Sequence, residues 1–240
     1  MATLDRSIIA GIPVLAELGP GDLEEVLREA RVIRCPKDSH VFDQGADAHS
    51  FFLLLHGHLR VEKSTAQGQQ IVARYISAGE LFGVAQALAL DTYPATAVAA
   101  VDSIALCWPS AAWPRLIAKF PSLAAHVLQT VGRRLQDTQA RVVEMSSQQV
   151  EQRVARALLR LARQAGRKVE SGIEIDFPIS RQDVAEMTGT TLHTVSRILS
   201  GWEQQGLVAG GRQRIVLRDP HGLFVLAEKQ QDEQSTLKDR

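Results

Sequence analysis

The spacing of apolar and polar residues divides the chain into a strand-rich first part and a helical second part. From residue 32 to about residue 108, short apolar runs rich in β-branched residues and leucine alternate with turn signals about every 10 to 12 residues. The pattern predicts a small β-sandwich or β-roll, preceded by an amphipathic helix over residues 20–30. A tight hairpin at Gly57 is predicted between residues 51–55 and 59–63. The other turn signals are Gln44-Gly45, Ala66-Gln67-Gly68 and Ala78-Gly79.

After Pro121 the pattern changes to a long helix whose apolar positions repeat alternately every three and four residues. This is an a/d seam of about three heptads, and we predict that it forms the interface of a homodimer. The seam residues are Leu128, Val131, Leu135, Thr138, Val142 and Met145. Packing of this face on the β domain of the same chain is the alternative. We expect the flanking polar residues to be exposed, which favours the dimer: Arg133, Arg134, Gln136 and Arg141.

A polar hinge at residues 146–149 precedes a second helix over residues 150–164, and two further helices are predicted beyond it. The residues that mark the ends of these two helices are Ser180, Asp183, Gly189 and Thr190 or Thr191. The inward-facing residues of the second are Val195, Ile198 and Leu199. This pair predicts a helix-turn-helix, with a helical hairpin that does not bind DNA as the alternative.

The second helix of the pair carries residue types that read DNA. In a major groove, Arg197 can donate a bidentate hydrogen bond to O6 and N7 of guanine, which contributes about 1–3 kcal/mol of discrimination. Ser196, Thr194 and Thr191 can contact a phosphate or a base edge. His193 can hydrogen-bond a base or lie in solvent. We therefore predict that this helix is the recognition helix.

Residues before and after the recognition helix extend the predicted interface. Arg181 and Gln182 open the first helix of the pair. Residues 210–217 begin with two glycines and continue with alternating polar and apolar residues, which predicts a β-hairpin wing. The wing brings Arg212 or Arg214 near the DNA backbone, and simple exposure of these arginines is the alternative.

Composition agrees with DNA binding and disfavours several other classes. The net charge is zero, yet residues 149–218 carry 11 Lys and Arg against 7 Asp and Glu. Cys35 and Cys107 are too few for a cysteine-ligated cluster. No apolar run reaches the roughly 18 residues of a membrane span and no signal-peptide pattern is seen, so we expect a cytoplasmic protein without a membrane partner. No catalytic motif indicates an enzyme.

The order of these elements resembles the Crp/Fnr family of bacterial transcription regulators. The motifs that carry the resemblance are Gln44-Gly45, Gly57, residues 79–83 (Gly-Glu-Leu-Phe-Gly) and residues 194–199 (Thr-Val-Ser-Arg-Ile-Leu). The resemblance implies a homodimer that binds a twofold-symmetric site in double-stranded promoter DNA and contacts RNA polymerase. It implies an α+β fold with a β-roll sensor domain (1–120), a dimerisation helix and hinge (121–148), a winged helix-turn-helix (149–228) and a flexible tail (229–240).

Departures from the family pattern bear on the signal that the sensor domain detects. Glu80 and Thr138 match the ribose and base contacts of members that bind cyclic AMP, and Gly79 and Thr96 complete the predicted sensor pocket. Ala95 stands where those members hold the phosphate with an arginine. Because a charge-assisted contact is lost there, control by a cyclic nucleotide is disfavoured. The oxygen sensors of the family need four cysteines, and this chain has two.

The remaining pattern, at residues 93–97 and 192–197, is similar to the nitric-oxide-responsive denitrification regulators of the NnrR/Dnr type. This similarity implies a haem whose iron binds NO, and activation of genes for nitrite and nitric oxide reduction. The haem ligand is left open among residues suited by type, which are His49, His56, His58, His126, Cys35 and Cys107. A Crp-like regulator controlled by a cyclic nucleotide or another small ligand, and a ligand-binding module that acts through a protein partner, are the alternatives.

Overall fold

The computed structural model describes Ile9, residues 11–65 and residues 70–228. The turn predicted at 66–68 and the tail predicted at 229–240 lie outside the described residues. The chain divides into two compact units between Asp137 and Thr138. No helix in the described part of the chain has the length and apolar character to span a membrane.

The elements follow one another along the chain in the order strands, long helix, winged helical domain. The first part contains α1 (Pro20–Arg28), β1 (Arg31–Cys35), β2 (His40–Phe42), β3 (Ser50–His56), β4 (His58–Ser64), β5 (Gln70–Ser77), β6 (Leu81–Phe82), β7 (Thr96–Ala99), β8 (Ser103–Pro109) and α2 (Trp113–Lys119). The long helix is α3 (Pro121–Ser147). The rest contains α4 (Val150–Ala165), β9 (Gly166–Val169), β10 (Gly172–Ile175), α5 (Arg181–Thr188), α6 (Leu192–Gln204), β11 (Val208–Gly211), β12 (Arg214–Leu217) and α7 (Pro220–Glu228).

The first unit is a β-roll of two four-stranded antiparallel sheets, ordered β1-β8-β3-β6 and β2-β7-β4-β5. Alternate residues of β3 point to opposite faces of the sheet, so they enter different cores. Phe52 enters the core between the two sheets, where it stacks on Phe82. Phe51 enters the outer core, where it stacks on Trp108 beneath α1 and α2. The predicted α+β fold with a β-roll is confirmed.

The hairpin predicted at Gly57 is wrong. β3 and β4 belong to different sheets, so the chain passes from one sheet to the other at this glycine. Gly57 has a φ of 91°, and a Cβ atom there would lie 2.2 Å from the Oγ atom of Ser103. Glycine is therefore required by both the backbone angle and the space. The turn itself was predicted correctly, but a local pattern does not show which strands pair.

The second unit is built around α4, whose apolar face is buried against other elements of that unit. The buried residues of α4 are Val154, Ala155, Ala157, Leu158 and Leu161. A four-stranded sheet ordered β11-β12-β10-β9 completes the unit. α3 ends at Ser147 and α4 begins at Val150, so the helix is interrupted within the predicted hinge. Gln149 and Gln152 form a capping box that fixes the start of α4.

Candidate nucleic-acid interface and sensor site

The helix-turn-helix is formed by α5 and α6, and both helix starts are capped as the sequence predicts. The Ser180 Oγ atom accepts a hydrogen bond from the Asp183 backbone N–H at 3.0 Å, and Asp183 accepts one from the Ser180 N–H at 2.7 Å. Gly189, with φ 62° and ψ 44°, ends α5 in the left-handed conformation. Thr191 is the N-cap of α6, where its Oγ1 atom accepts from the Thr194 N–H at 3.2 Å.

α6 has one buried face and one face open to solvent. Val195 and Leu199 are buried as predicted, together with Trp202, while Ile198 is half-buried. The Trp202 Nε1 atom donates to Glu151 Oε1 at 2.9 Å, which ties α6 to α4. The open face carries the residues predicted to read bases, of which Arg197 and His193 are exposed and Ser196 is half-buried. α6 therefore presents its predicted reading face to solvent.

Other predicted DNA-contacting side chains already have partners within this unit. The hydroxyl groups of Thr191 and Thr194 lie 2.9 Å apart. The Gln182 Nε2 atom donates to Glu186 Oε1 at 2.9 Å. The Arg181 Nη2 atom donates to Glu203 Oε1 at 3.1 Å. Glu203, in the last turn of α6, carried no sequence signal because its partner lies 22 positions away.

The predicted wing is the hairpin of β11 and β12, with Arg212 exposed at its tip. Arg214 donates from Nε and Nη2 to the two carboxylate oxygens of Glu174 on β10, at 2.6 and 3.0 Å. The hydrogen bond from Arg214, with the charges of Arg214 and Arg167, lowers the pKa of Glu174. Arg214 is therefore held across neighbouring strands. Sequence reasoning missed Glu174 because the β9–β10 hairpin was not predicted.

Most of the predicted dimer seam on α3 is uncovered in a single chain. The exposed fractions are 74% for Leu128, 58% for Leu135, 60% for Val142 and 58% for Met145. Thr138 is exposed, whereas Val131 is half-buried and packs against the outer core of the first unit. The expectation that all flanking residues are exposed is wrong, because Arg134 and Arg141 are half-buried. An exposed apolar stripe of this kind is typical of a helix that pairs with another helix.

The predicted sensor residue Glu80 lies in an ion cluster with two arginines. Its Oε2 atom accepts a hydrogen bond from Arg74 Nη1 at 2.9 Å and lies 3.8 Å from Arg134 Nη2. Arg134 also donates to the Leu81 carbonyl at 3.0 Å. Burial, followed by the charge of Arg74, lowers the pKa of Arg134 to about 10. The neighbouring Gly79 adopts a φ of 89°, as its position in the turn requires.

The other predicted sensor residues with side chains are Thr96 and Thr138. Thr96, at the start of β7, accepts a hydrogen bond from the Gln44 backbone N–H at 3.0 Å. Ala95 is 8% exposed, and the ring of the nearby Tyr93 stacks on Phe42 with a centroid distance of 3.9 Å. Thr138 lies on α3, beyond the division between the two units. At the position where the family pattern places an arginine, this chain has the buried, small and apolar Ala95.

The candidate haem ligands differ in burial. His56 is exposed, and His49 is exposed beside Asp47, with the His49 Nε2 atom 3.7 Å from an Asp47 carboxylate oxygen. His58 and Cys107 are half-buried, and Cys35 is buried, which raises the pKa of its thiol. His126 is half-buried on α3, where burial and then the charge of Arg133 lower its pKa. Both effects favour the neutral form of the His126 imidazole.

Comparisons with known proteins agree with this architecture. Residues 32–120 match the family model of the cyclic nucleotide-binding domain, and residues 152–225 match that of the Crp-like helix-turn-helix domain. The first match includes the β-roll before α3, and the second includes the capped helix pair after it. Together the two matches indicate the class of protein. The chain carries the two domains of a Crp/Fnr-type DNA-binding transcription regulator.

Relatives of this Crp/Fnr regulator match over most of their own length. The chain is 28% identical to the "Cyclic AMP receptor protein" of Thermus thermophilus, over 87% of this chain and 94% of that protein. It is 25% identical to the "Transcriptional activator protein FnrA" of Stutzerimonas stutzeri, over 85% of this chain and 83% of that protein. The structure of FixK2 from Bradyrhizobium japonicum has the same fold, with a TM-score of 0.73 and 22% identity over 84% of this chain and 99% of that one.

Proposed function

We propose that the regulator works as a homodimer whose two α6 helices read a twofold-symmetric promoter sequence, and that it activates transcription by contacting RNA polymerase. The observation that carries the proposal is the exposure of Arg197 on α6. The start of this helix is capped by Thr191 and its opposite face is buried. The uncovered α3 seam supports the dimer, because pairing of two chains along it removes exposed leucine, valine and methionine from water. Twofold pairing also explains how two recognition helices are held at a fixed separation.

Each part of the interface has a distinct role in this proposal. Arg197 donates to O6 and N7 of a guanine in each half-site and so supplies sequence discrimination. Arg212 at the wing tip contacts phosphates, and its contribution is independent of sequence. The backbone N–H groups at the start of α6, beside the Thr191 cap, attract the anionic phosphates of DNA. Specificity and affinity therefore depend on different side chains.

The test is titration of the protein onto a palindrome with TTG and CAA half-sites and onto a scrambled duplex. Arg197→Ala is expected to remove the preference for the palindrome, a loss of about 10- to 100-fold, and to leave binding to scrambled DNA nearly unchanged. Arg163→Ala is the matched control, because it removes the same charge from an exposed position on α4. Equal loss in the two variants, or unchanged preference in Arg197→Ala, contradicts the proposed role.

We further propose that the sensor domain binds haem, that NO on the iron is the signal, and that the controlled genes serve nitrite and nitric oxide reduction. The similarity to denitrification regulators motivates this proposal, and the environment of His126 supports it. A neutral imidazole can coordinate iron, whereas a protonated one cannot, and burial lowers the pKa of His126, which favours the neutral form. His126 is half-buried on α3, where the nearby Leu123 and Val127 are buried. Haem would supply the NO-binding iron.

Haem titration of the purified protein tests this second proposal. A Soret band that shifts on exposure to NO is expected for the unaltered protein, and His126→Ala should weaken haem binding by about tenfold or more. His49→Ala is the control, because its ring is 85% exposed. An unchanged spectrum with NO refutes the proposed signal, and equal haem binding in the two variants refutes the assignment of His126.

A cyclic nucleotide is the second candidate effector, favoured by the match of residues 32–120 to the cyclic nucleotide-binding domain. Against it, Ala95 offers no positive charge to a cyclic phosphate, and Glu80 already accepts hydrogen bonds from Arg74 and the Ser77 backbone N–H. Calorimetry with cyclic AMP separates the two candidates. Submicromolar binding would establish the nucleotide as the effector.

A further inference from the structure

A cleft of about 280 Å³ lies between the wing and the helix-turn-helix. Three of its lining residues are the predicted DNA-contacting arginines Arg181, Arg212 and Arg214. Glu203 is the acid among the lining residues, and it projects from the last turn of α6. A carboxylate repels any DNA phosphate that comes within the Debye length, which is about 8 Å at physiological salt. Glu203 in the proposed DNA interface is therefore unfavourable by charge alone, unless it has a second role that favours binding.

The contacts of Glu203 indicate what that role is. Its Oε1 atom accepts a hydrogen bond from Arg181 Nη2 at 3.1 Å, which joins the end of α6 to the start of α5. The side chains of Arg181 and Glu203 are 38% and 32% exposed, so the pair is partly shielded while the guanidinium still reaches the cleft. Arg181 also donates from Nη1 to Ser200 Oγ at 3.5 Å. A guanidinium has five N–H donors, so these two bonds leave others for a further acceptor. Glu203 thus fixes the direction of Arg181 without exhausting its donors.

The glycine at position 210 of the wing leaves space for the Glu203 carboxylate. A Cβ atom at Gly210 would lie 2.2 Å from Glu203 Oε1 and 3.8 Å from Arg181 Nη2. A side chain at position 210 would therefore displace Glu203 from the arginine. The φ of Gly210 is not positive, so the requirement at this residue is space and not backbone conformation. α5, α6 and β11 consequently meet at the Arg181–Glu203 pair.

We propose that Glu203 is a positioning residue of the DNA interface, which holds the Arg181 guanidinium in the cleft between α5 and the wing so that it contacts a DNA phosphate. The inference rests on the proposed DNA-binding function. It predicts that removal of the Glu203 carboxylate weakens DNA binding, which is the opposite of the effect expected from charge alone. Removal of a negative charge near DNA ordinarily strengthens binding, whereas loss of the positioning contact weakens it.

The experiment is a double-mutant cycle of Glu203→Ala and Arg181→Ala, with the Kd for the palindromic duplex measured by fluorescence anisotropy at constant salt. Glu203→Ala removes the acceptor of the Arg181 hydrogen bond and should raise the Kd by about three- to tenfold, a range usual for coupling between contacting residues. In the Arg181→Ala background the same change should leave the Kd unchanged or lower it, because only the repulsion of phosphates is removed. Gly210→Ala should resemble Glu203→Ala, since it separates the same pair.

Glu170→Ala is the matched control, because it removes an exposed carboxylate from the turn between β9 and β10. Thermal unfolding of each variant confirms that the fold is retained. Equal or tighter binding by Glu203→Ala than by the unaltered protein would overturn the inference, as would an equal loss in both backgrounds. Failure of the unaltered protein to bind any duplex would instead overturn the proposed function, and this inference with it.

Discussion

Leu135 lies in the middle of the α3 seam, and its truncation measures whether two chains pair there. The residue is 58% exposed in a single chain. Full burial of a leucine side chain stabilises by about 1.5–3 kcal/mol, so covering the exposed part contributes about 1–1.7 kcal/mol. Because Leu135→Ala keeps the Cβ atom, we expect a loss of about 1 kcal/mol in each chain. A twofold dimer contains the change twice, which gives about 2 kcal/mol, or a Kd about 30 times larger.

Analytical ultracentrifugation over a series of protein concentrations measures this Kd directly. Alanine is the best helix former, so the substitution does not weaken α3 itself. Gln136→Ala is the control, since it changes the next residue, which is exposed and lies outside the seam. Similar dissociation constants for the two variants would refute the assignment of the seam, and a monomeric unaltered protein at micromolar concentration would refute the dimer.

Three further predictions concern stability. Arg160→Met should lower the free energy of unfolding by about 2 kcal/mol in urea titrations, because it leaves the buried Glu144 carboxylate without its 2.7 Å partner; an unchanged midpoint contradicts this. Gly57→Ala should destabilise by at least about 2 kcal/mol, whereas Gly132→Ala, in open space on α3, should stabilise by about 0.5–1 kcal/mol; equal melting temperatures would refute the difference. The folded pKa of His126 lies below its unfolded value of about 6.5, so stability should fall on acidification through that value, and less in His126→Gln; equal losses count against it.

Local sequence was a reliable guide wherever the structure is held by residues close together in the chain. The cap of α5 joins Ser180 to a residue three positions away, and the cap of α6 joins Thr191 to Thr194. Gly189 ends α5 because its own backbone angles are left-handed. Each of these features depends on one turn of helix, so residue type and spacing were sufficient to predict it.

Long-range partners were not accessible in this way. Arg134 flanks the seam and was expected to be exposed, yet it donates to the carbonyl of Leu81, 53 residues earlier in the chain. Glu174 holds Arg214 across 40 residues. The sequence does not show whether a charged side chain is solvated by water or paired with a group that is distant in the chain. The predicted sensor pocket was limited for the same reason, because it named Glu80 but neither of the arginines that contact it.

The sequence by itself determined the order of the elements, the caps of the helix pair, the apolar stripe on α3 and the residue types on the reading face of α6. These properties follow from the intrinsic preferences and periodicity of neighbouring residues. Only the tertiary structure decided that the chain changes sheet at Gly57, that Arg181 and Arg214 are each held by a glutamate, and that Glu80 lies between two arginines. Those facts depend on which distant segments share a core, and burial of apolar surface is non-directional, so it leaves no local trace of the partner.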